Sequence, residues 1–344
     1  MPKAGKTALS LAPLAILAAL PLVTDAYTQY VINLILAYVV LAVGLNIVMG
    51  FAGQLSFAHS AFMGVGAYAM AVLMGRFDLP FLAALPLCGL ITGLFGFIIG
   101  LPAVRVRGLY LALLTIALLY FVHWGLVHWD SVTKGANGLQ VPRVSVLGRP
   151  INGDKEKFFV ILPIVLIMVW LGVVITRSKW GRAFILVRDA ELAAQASGIP
   201  LMLTKATAFA ISAFYAAIGG GLFAITVDFL VPNSFGLLQM MTQFAMVLVG
   251  GLGSIFGAVA GAVVVGILPE ILRELPGAEE IAYGAVILGC VLFMPEGIVG
   301  MLQTKRWLSR PIATSPRLEY IMGKPTLTGD RARQPVRHDE RAAR

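Results

Sequence analysis

Residues Gly44 to Gly75 read GLNIVMGFAGQLSFAHSAFMGVGAYAMAVLMG. They lie in a longer window, Ala26 to Gly75, that contains no Asp, Glu, Lys or Arg. As one continuous helix this window would be ~75 Å long, more than twice the ~30 Å hydrocarbon core of a bilayer. The window therefore predicts two membrane crossings, with a turn near residues 50–53.

The same stretch is rich in polar side chains for a segment at membrane depth: Asn46, Gln54, Ser56, His59 and Ser60. Buried polar groups cost free energy unless they are paired, and irregular backbone in a membrane is tolerated only where it contacts protein or lines a cavity. One interpretation is a tight packing seam whose polar groups satisfy one another. The other, which we take as the working hypothesis, is a broken helix pair that lines a solute pathway, with these five residues along it.

The composition indicates an integral membrane protein. Of the 344 residues, 59% are hydrophobic and only 12% are charged, with a mean hydropathy of +0.88. Soluble domains carry about 25% charged residues. The net charge of +9 does not indicate a nucleic-acid partner, because the basic residues flank apolar segments in the way that sets membrane topology. Both cysteines fall in apolar runs, so no disulfide framework is predicted.

Charge-free runs predict an all-α, polytopic fold with about ten transmembrane helices. The window 26–75 and the run 229–269 are each long enough for two crossings. The other predicted crossings, one each, are 8–24, 79–104, 108–129, 158–176, 206–227 and 281–302. The first run, which follows Lys3 and Lys6, also has features of a cleaved signal peptide. Its cleavage would leave nine helices.

The distribution of positive charge predicts that both termini are cytoplasmic. With ten helices, one set of alternate loops and both termini together hold 19 of the 26 Lys and Arg residues. The positive-inside rule places that side in the cytoplasm. We therefore expect a transmembrane domain over 1–304, with a cytoplasmic loop at 177–205. A basic, largely disordered cytoplasmic tail is expected over 305–344, and it either touches anionic lipid or has no role.

The cytoplasmic loop contains a predicted helix, Ala183 to Ser197. It stops at Gly198, with Pro200 two residues later, which is a typical helix C-terminal signal. Apolar and charged residues alternate along it. Such a helix can lie in the membrane interface among lipid headgroups, or it can dock a cytoplasmic partner. The mixed charges and the small residues near its end favour docking.

The sequence contains no motif for chemistry. It has no phosphate-binding Gly-x-x-x-x-Gly-Lys-Ser/Thr loop, no HExxH or CxxC pattern and no Gly-x-Ser-x-Gly elbow. The charge-free spans offer no Asp or Glu relay of the kind that proton pumps use. We therefore predict a protein that is not an enzyme, with no catalytic residue, metal or cofactor. Energy for transport then comes from elsewhere, or the protein is a passive channel.

Several segments, spread across the chain from about residue 30 to residue 302, carry a resemblance to a known family. They are the opening stretch, RVRGLYLALLTIA at 105–117, TKGANGL at 133–139, WGRAFILVRDAELAAQASGIP at 180–200, VGGLGSIFGAVAGA at 249–262 and MPEGIVG at 294–300. In this order they resemble bacterial branched-chain amino acid ABC transporter permeases of the LivM type. The resemblance is less specific for the solute, because urea and short-amide permeases look similar.

The resemblance implies an inner-membrane importer subunit that moves branched-chain or related amino acids by alternating access. Its implied partners are ATP-binding subunits, a second permease subunit, a periplasmic solute-binding protein and membrane lipid. The segment Leu192-Ala193-Ala194-x-x-x-Gly198 resembles the EAA loop that contacts the ATPase, except that Leu192 replaces the usual Glu, for which the adjacent Glu191 can substitute. The predicted coupling residues are, at the rim of the contact, Arg188, Asp189 and Glu191; at its centre, Ala193 and Ala194; and at the exit, Gly198.

Two classes of protein compete with this interpretation. A stand-alone channel or secondary carrier would function without ATPases and would not need a docking loop. A membrane-embedded enzyme is disfavoured, because neither a catalytic carboxylate pair nor a metal-ligand cluster is visible in the sequence.

Overall fold

The computed structural model describes residues 21, 24–103, 106, 108–146, 149–151 and 153–272, and the pairs 284–285, 288–289 and 297–298. The first predicted crossing (8–24), the last (281–302) and the tail (305–344) therefore lie largely or wholly outside the described residues. The described part is dominated by long helices.

The helices are α1 (Ala26–Asn46), α2 (His59–Arg76), α3 (Phe81–Ala103), α4 (Leu109–His128), α5 (Asp130–Thr133), α6 (Asp154–Arg177), α7 (Lys179–Asp189), α8 (Glu191–Ala196), α9 (Leu201–Val227), α10 (Leu237–Gly250) and α11 (Ile255–Leu272). A π-helix, Ile47–Phe51, continues α1, and short 3₁₀ helices lie at Gly135–Asn137 and Pro232–Phe235. Four two-residue strands are β1 (Leu139–Gln140), β2 (Ser145–Val146), β3 (Arg149–Pro150) and β4 (Phe229–Leu230).

Six of the described helices are long and apolar enough to cross a membrane: Ala26–Phe51, Phe81–Pro102, Leu109–His128, Asp154–Arg177, Leu201–Val227 and Ile255–Leu272. The chain is thus a multi-pass membrane protein. Burial divides these spans into two groups. Within the most apolar window of each, α9 is 83% buried and α1 with its π-helix 78%, whereas the other four are 33% buried. We infer that α1 and α9 form the centre of the helical assembly and the other four its periphery.

Helix α9 packs against α1, α2 and α3. Its small residues allow this close approach, as at Gly220, where an added Cβ would overlap the Met63 carbonyl of α2. Helices α10 and α11 also pack tightly, because Gly250 and Gly257 meet backbone to backbone. Large apolar side chains on α4, among them Tyr110 and Phe121, remain exposed, as expected of a surface that faces lipid or a partner helix.

Two short antiparallel strand pairs connect the loops. Strand β1 pairs with β4 in the register Leu139↔Leu230, and β2 pairs with β3. Close by, the buried Lys157 at the start of α6 donates to both carboxylate oxygens of Asp228, at 2.9 and 2.8 Å. The amino end of α6 and the carboxyl end of α9 are therefore joined by an ion pair.

The second crossing predicted within each long charge-free run is not a full-length helix. In the first run only Ala26–Phe51 qualifies as a membrane span, and α2 does not begin until His59. In the second run the residues before α10 form β4 and a 3₁₀ turn, and α10 itself has 14 residues. At the α-helical rise, α10 is ~21 Å long, which is too short to cross a ~30 Å hydrocarbon core.

Candidate functional site

At the predicted turn, residues 50–53, the helix formed by α1 and its π-helical extension ends. In the π-helix the Ala52 amide donates to the Ile47 carbonyl at 3.1 Å, and the Gln54 amide then reaches back to the Val48 carbonyl at 2.9 Å. Gly53 follows with a φ of +66°, a conformation that side chains rarely adopt. Residues 53–58 run without helical structure before α2 starts.

Helix α2 starts beside the middle of its neighbours rather than at their ends. His59, its first residue, bonds the Leu41 carbonyl of α1 through Nε2 at 2.9 Å, and its Nδ1 lies 3.0 Å from Ser212 Oγ of α9. Leu41 precedes the end of the π-helix at Phe51 by about ten residues, or ~15 Å along the helix. Because the carbonyl can only accept, Nε2 carries the proton and Nδ1 accepts from the Ser212 hydroxyl. Both ring nitrogens of His59 are thus engaged.

Helix α10 also starts in the interior, and its first turn faces that of α2. The Ser60 hydroxyl lies 2.8 Å from the Phe235 carbonyl and 3.2 Å from the Gly236 carbonyl, immediately before α10. From this meeting point α2 and α10 lead away as separate helices. Two helix N-termini, each the positive end of a helix dipole, therefore lie close together at the depth of the middle of α1 and α9.

Asn46 binds the loop that follows the carboxyl end of α10. Its Nδ2 donates to the Ser254 carbonyl at 2.7 Å, and its Oδ1 accepts from the Gly253 amide at 2.9 Å. The side chain is fully buried. Asn46 thus holds the 251–254 loop, which joins α10 to α11, against the carboxyl end of α1. Its polar groups are engaged in this contact.

Gln54 differs from the other predicted pathway residues. It is 4% exposed, and neither its Oε1 nor its Nε2 has a hydrogen-bond partner among the described residues. Ser56 is also buried, and its hydroxyl oxygen accepts a long bond, 3.4 Å, from the Ala58 amide. Because a buried amide without partners costs free energy, the Gln54 side chain is the group at the break that is available to a ligand or water.

Two glutamines of α10 belong to the same region, and sequence reasoning missed them. Gln239 and Gln243 point their amide nitrogens at Met63 Sδ of α2, at 3.9 and 3.1 Å. Gln243 is fully buried, and its Oε1 has no partner among the described residues. Two glutamines four residues apart in a charge-free run share one helix face, a signal that could have identified them.

The loop at 177–205 does not contain the single helix predicted at 183–197. Helix α7 begins at Lys179, after Ser178 caps it by accepting from the Trp180 amide at 3.1 Å. It ends at Asp189, and α8 starts at Glu191. Ala190 between them has φ −155° and ψ 84°, which is not helical. The predicted stop is confirmed, because Gly198 has φ +76° and the Ile199 amide closes the turn onto the Ala194 carbonyl at 3.0 Å.

Arg188 points towards the membrane-spanning part of the chain rather than away from it. Its Nη1 donates to the Gly50 carbonyl in the π-helix at 2.6 Å. Its Nε donates to Asp189 Oδ1 at 2.8 Å, and this hydrogen bond lowers the pKa of the Asp189 carboxyl. Arg188, predicted at the rim of a partner contact, thus binds the break in α1 through its guanidinium, and 37% of its side chain remains exposed.

Glu191 and Ala194 are also turned inward. Glu191 forms an ion pair with Lys205 at the start of α9, and the Lys205 residue is 8% exposed. The Ala194 side chain is fully buried within the chain, so its placement on a partner-facing surface is wrong. The exposed residues of α8 are instead Leu192, which is 82% exposed, and Ala193, Gln195 and Ala196. Glu191 and Ala194 face inward because α8 packs one of its faces on α9.

The sequence matches one family over most of its length. This family, described as the permease component of branched-chain amino acid transport systems, matches residues 27–294. No solved structure was found to match the chain.

The curated relatives are transport proteins. The high-affinity branched-chain amino acid transport system permease protein LivM of Salmonella typhimurium is 29% identical over 315 residues, which is 85% of this chain and 74% of LivM. The protein of the same name from Escherichia coli is 29% identical over 321 residues, 86% of this chain and 76% of the relative. The permease protein BraD of Pseudomonas aeruginosa is 27% identical over 288 residues, 78% of this chain and 93% of BraD.

Proposed function

The chain belongs to the permease-component family of branched-chain amino acid transport systems, and from this premise we propose that it is a subunit of an ATP-driven importer. Its solutes are branched-chain or related hydrophobic amino acids, moved by alternating access across a bacterial inner membrane. Its partners are ATP-binding subunits, which hydrolyse ATP, a second permease subunit and a periplasmic solute-binding protein.

The observation that carries this proposal is the meeting of α2 and α10. Transporters bind solutes near the bilayer midplane, where discontinuous helices direct their N-termini at anionic groups of the solute. The contact from Ser60 to Phe235 and Gly236 joins two such N-termini. The amino acid carboxylate is the group that these positive helix ends would attract.

Within this region we assign different roles to the predicted pathway residues. Gln54 contacts the solute, because its buried amide is free in the described structure. Ser56 lies beside it on the same irregular segment. Asn46, His59 and Ser60 shape the pathway by fixing the elements around it, since their polar groups are engaged. Apolar walls suit a leucine-like side chain.

The exposed face of α8 is the proposed docking surface for the ATP-binding subunit. It offers the apolar Leu192 and the small Ala193, which permit close packing against a groove. The ion pair between Glu191 and Lys205 and the buried Ala194 hold α8 on α9. Gly198 lets the chain turn sharply into α9, and nothing lies within 4 Å of the Cβ that a larger residue would add.

The proposed topology has ten membrane crossings and cytoplasmic termini, and in two of the crossings an irregular segment precedes the helix, α2 or α10. Supporting it, the carboxyl end of α1, the 251–254 loop and α7 cluster together, and all are cytoplasmic in this topology. The amino end of α6 and the carboxyl end of α9 cluster separately around Lys157 and Asp228, on the opposite side.

Co-purification tests the proposal. The tagged chain, expressed with a candidate second permease subunit and candidate ATP-binding subunits, should purify as a complex. ATP hydrolysis by that complex in liposomes should rise when the solute-binding protein loaded with L-leucine is added. A chain that purifies alone and conducts L-leucine without ATP would instead be a channel or secondary carrier.

A further inference from the structure

We propose that Arg188 is a positioning residue that transmits movement of the ATPase-facing loop to the broken end of α1. This inference rests on the proposed function. It adds a mechanical connection between the loop that docks the ATP-binding subunit and the proposed solute pathway. The route runs from α7, through the guanidinium of Arg188, to the carbonyl of Gly50 and the backbone around it.

The break in α1 creates the acceptor that Arg188 uses. In a regular helix the Gly50 carbonyl would accept from the amide of Gln54, but that amide donates to Val48. Buried carbonyls without a partner cost free energy, and in a membrane protein the cost is larger because water is excluded. Arg188 Nη1 supplies the missing donor at 2.6 Å. A charged donor makes this hydrogen bond stronger than a neutral one.

The backbone at the break is shaped to the Arg188 side chain. Gly53 has φ +66°, and a Cβ built there would overlap Arg188 Cγ. The other end of the guanidinium is fixed by Asp189, which accepts from Nε at 2.8 Å. With 37% of its side chain exposed, Arg188 reaches from the loop surface to this contact. A displacement of α7 must therefore push or release residues 50–53.

The same junction includes the end of α10. Asn46 holds the Gly253 amide and the Ser254 carbonyl. A Cβ on Gly253 would lie 3.5 Å from Arg188 Nη1 and 3.5 Å from the Gly50 carbonyl oxygen. Arg188 thus lies where the ends of α1 and α10 meet. Because α10 forms one side of the proposed pathway and the break in α1 leads into α2, one side chain contacts the elements that must move together.

The test separates coupling from docking by measuring two rates in the complete transporter. In liposomes, Arg188→Gln should leave assembly and ATP hydrolysis intact while L-leucine uptake per ATP falls about 10-fold, a typical size for coupling between sites. Arg188→Lys keeps the charge and should restore part of the uptake. Arg182→Gln is the matched control, because Arg182 is exposed on the same helix and, among the described residues, its side chain bonds only the nearby Arg177 carbonyl. It should leave both rates unchanged.

A second readout does not depend on the solute. Leu55 is 45% exposed beside the break. In a chain with Cys88 and Cys290 replaced by alanine, Leu55→Cys should react with a maleimide at a rate that changes when the ATP-binding subunits bind ATP. Arg188→Gln should abolish this change. The inference is overturned if Arg188→Gln leaves the change intact, or if uptake and hydrolysis fall in proportion. Failure of the proposed function would appear differently, as no L-leucine uptake by the unmodified transporter.

Discussion

Ser60 Oγ lies 2.8 Å from the carbonyl oxygen of Phe235, across 175 positions of sequence. This contact joins the first turn of α2 to the turn that precedes α10. It lies beside His59, whose ring bonds α1 and α9. One short segment of α2 therefore holds together the four helices around the proposed pathway.

Ser60→Ala should destabilise this meeting point, because the buried carbonyl of Phe235 would lose the Ser60 donor, whereas the Gly236 carbonyl would still accept from the Met240 amide. We expect a loss of about 1–3 kcal/mol in the free energy of unfolding and a marked loss of uptake. Thr207→Ala is the control, since within the described part of the chain the Thr207 hydroxyl bonds only the Leu203 carbonyl of its own helix. Thermal unfolding in detergent measures the first effect. Equal unfolding temperatures for Ser60→Ala and Thr207→Ala would contradict this role of Ser60.

Gln54 and Asn46 should respond in opposite ways to loss of their amides. Gln54→Met removes polar groups that have no partner, so stability should be kept or increased, while the concentration of L-leucine needed for half-maximal uptake should rise. Asn46→Leu removes two hydrogen bonds and should cost about 1–3 kcal/mol. Unfolding temperatures together with uptake curves distinguish the two. If Gln54→Met transports with an unchanged concentration dependence, Gln54 does not contact the solute.

Adjacent alanines in α8 should separate docking from folding. Ala193 is exposed, so Ala193→Trp should leave the chain stable and weaken its association with the ATP-binding subunit. Ala194 is fully buried, so Ala194→Trp should overpack the contact with the rest of the chain and cost roughly 1–3 kcal/mol of stability. Co-purification yield and thermal unfolding report the two effects. Full association of Ala193→Trp would mean that α8 does not dock the partner.

The topology can be tested with single cysteines at two exposed positions. In a chain with the native cysteines replaced, Ala136→Cys should react with a membrane-impermeant maleimide applied to the periplasmic side. Ala190→Cys should react only after the cells are opened. Both side chains are exposed, so accessibility within the protein does not limit either reaction. Periplasmic labelling of residue 190 would invert the proposed orientation.

The break in α1 could be predicted from the sequence, but the start of α2 could not. The length of the charge-free window requires a turn, and glycines at 50 and 53 locate it. Residues 53–58 are compatible with a helix, and their irregular path is set by tertiary contacts. His59 bonds Leu41 and Ser212, which are distant in sequence, so no local pattern fixes the depth at which α2 begins.

The structure of the loop at 177–205 could likewise be predicted only in part. Its stop at Gly198 was predicted, because a glycine followed by Pro200 is a local signal. Its break at Ala190 was not, since alanine is the strongest helix former. Neighbouring residues on the two sides of the break make distant contacts, Arg188 with Gly50 and Glu191 with Lys205. The buried face of α8 could likewise not be assigned before its neighbour α9 was known.

Uptake of L-leucine into liposomes tests the central claim most directly. The liposomes contain this chain, the second permease subunit and the ATP-binding subunits, with the loaded solute-binding protein on the opposite side from ATP. The account predicts accumulation against a concentration gradient that requires ATP hydrolysis and stops when the ATP-binding subunits carry an inactivating substitution. Equilibration of L-leucine without ATP, or ATP hydrolysis with no uptake of any branched-chain amino acid, would contradict it.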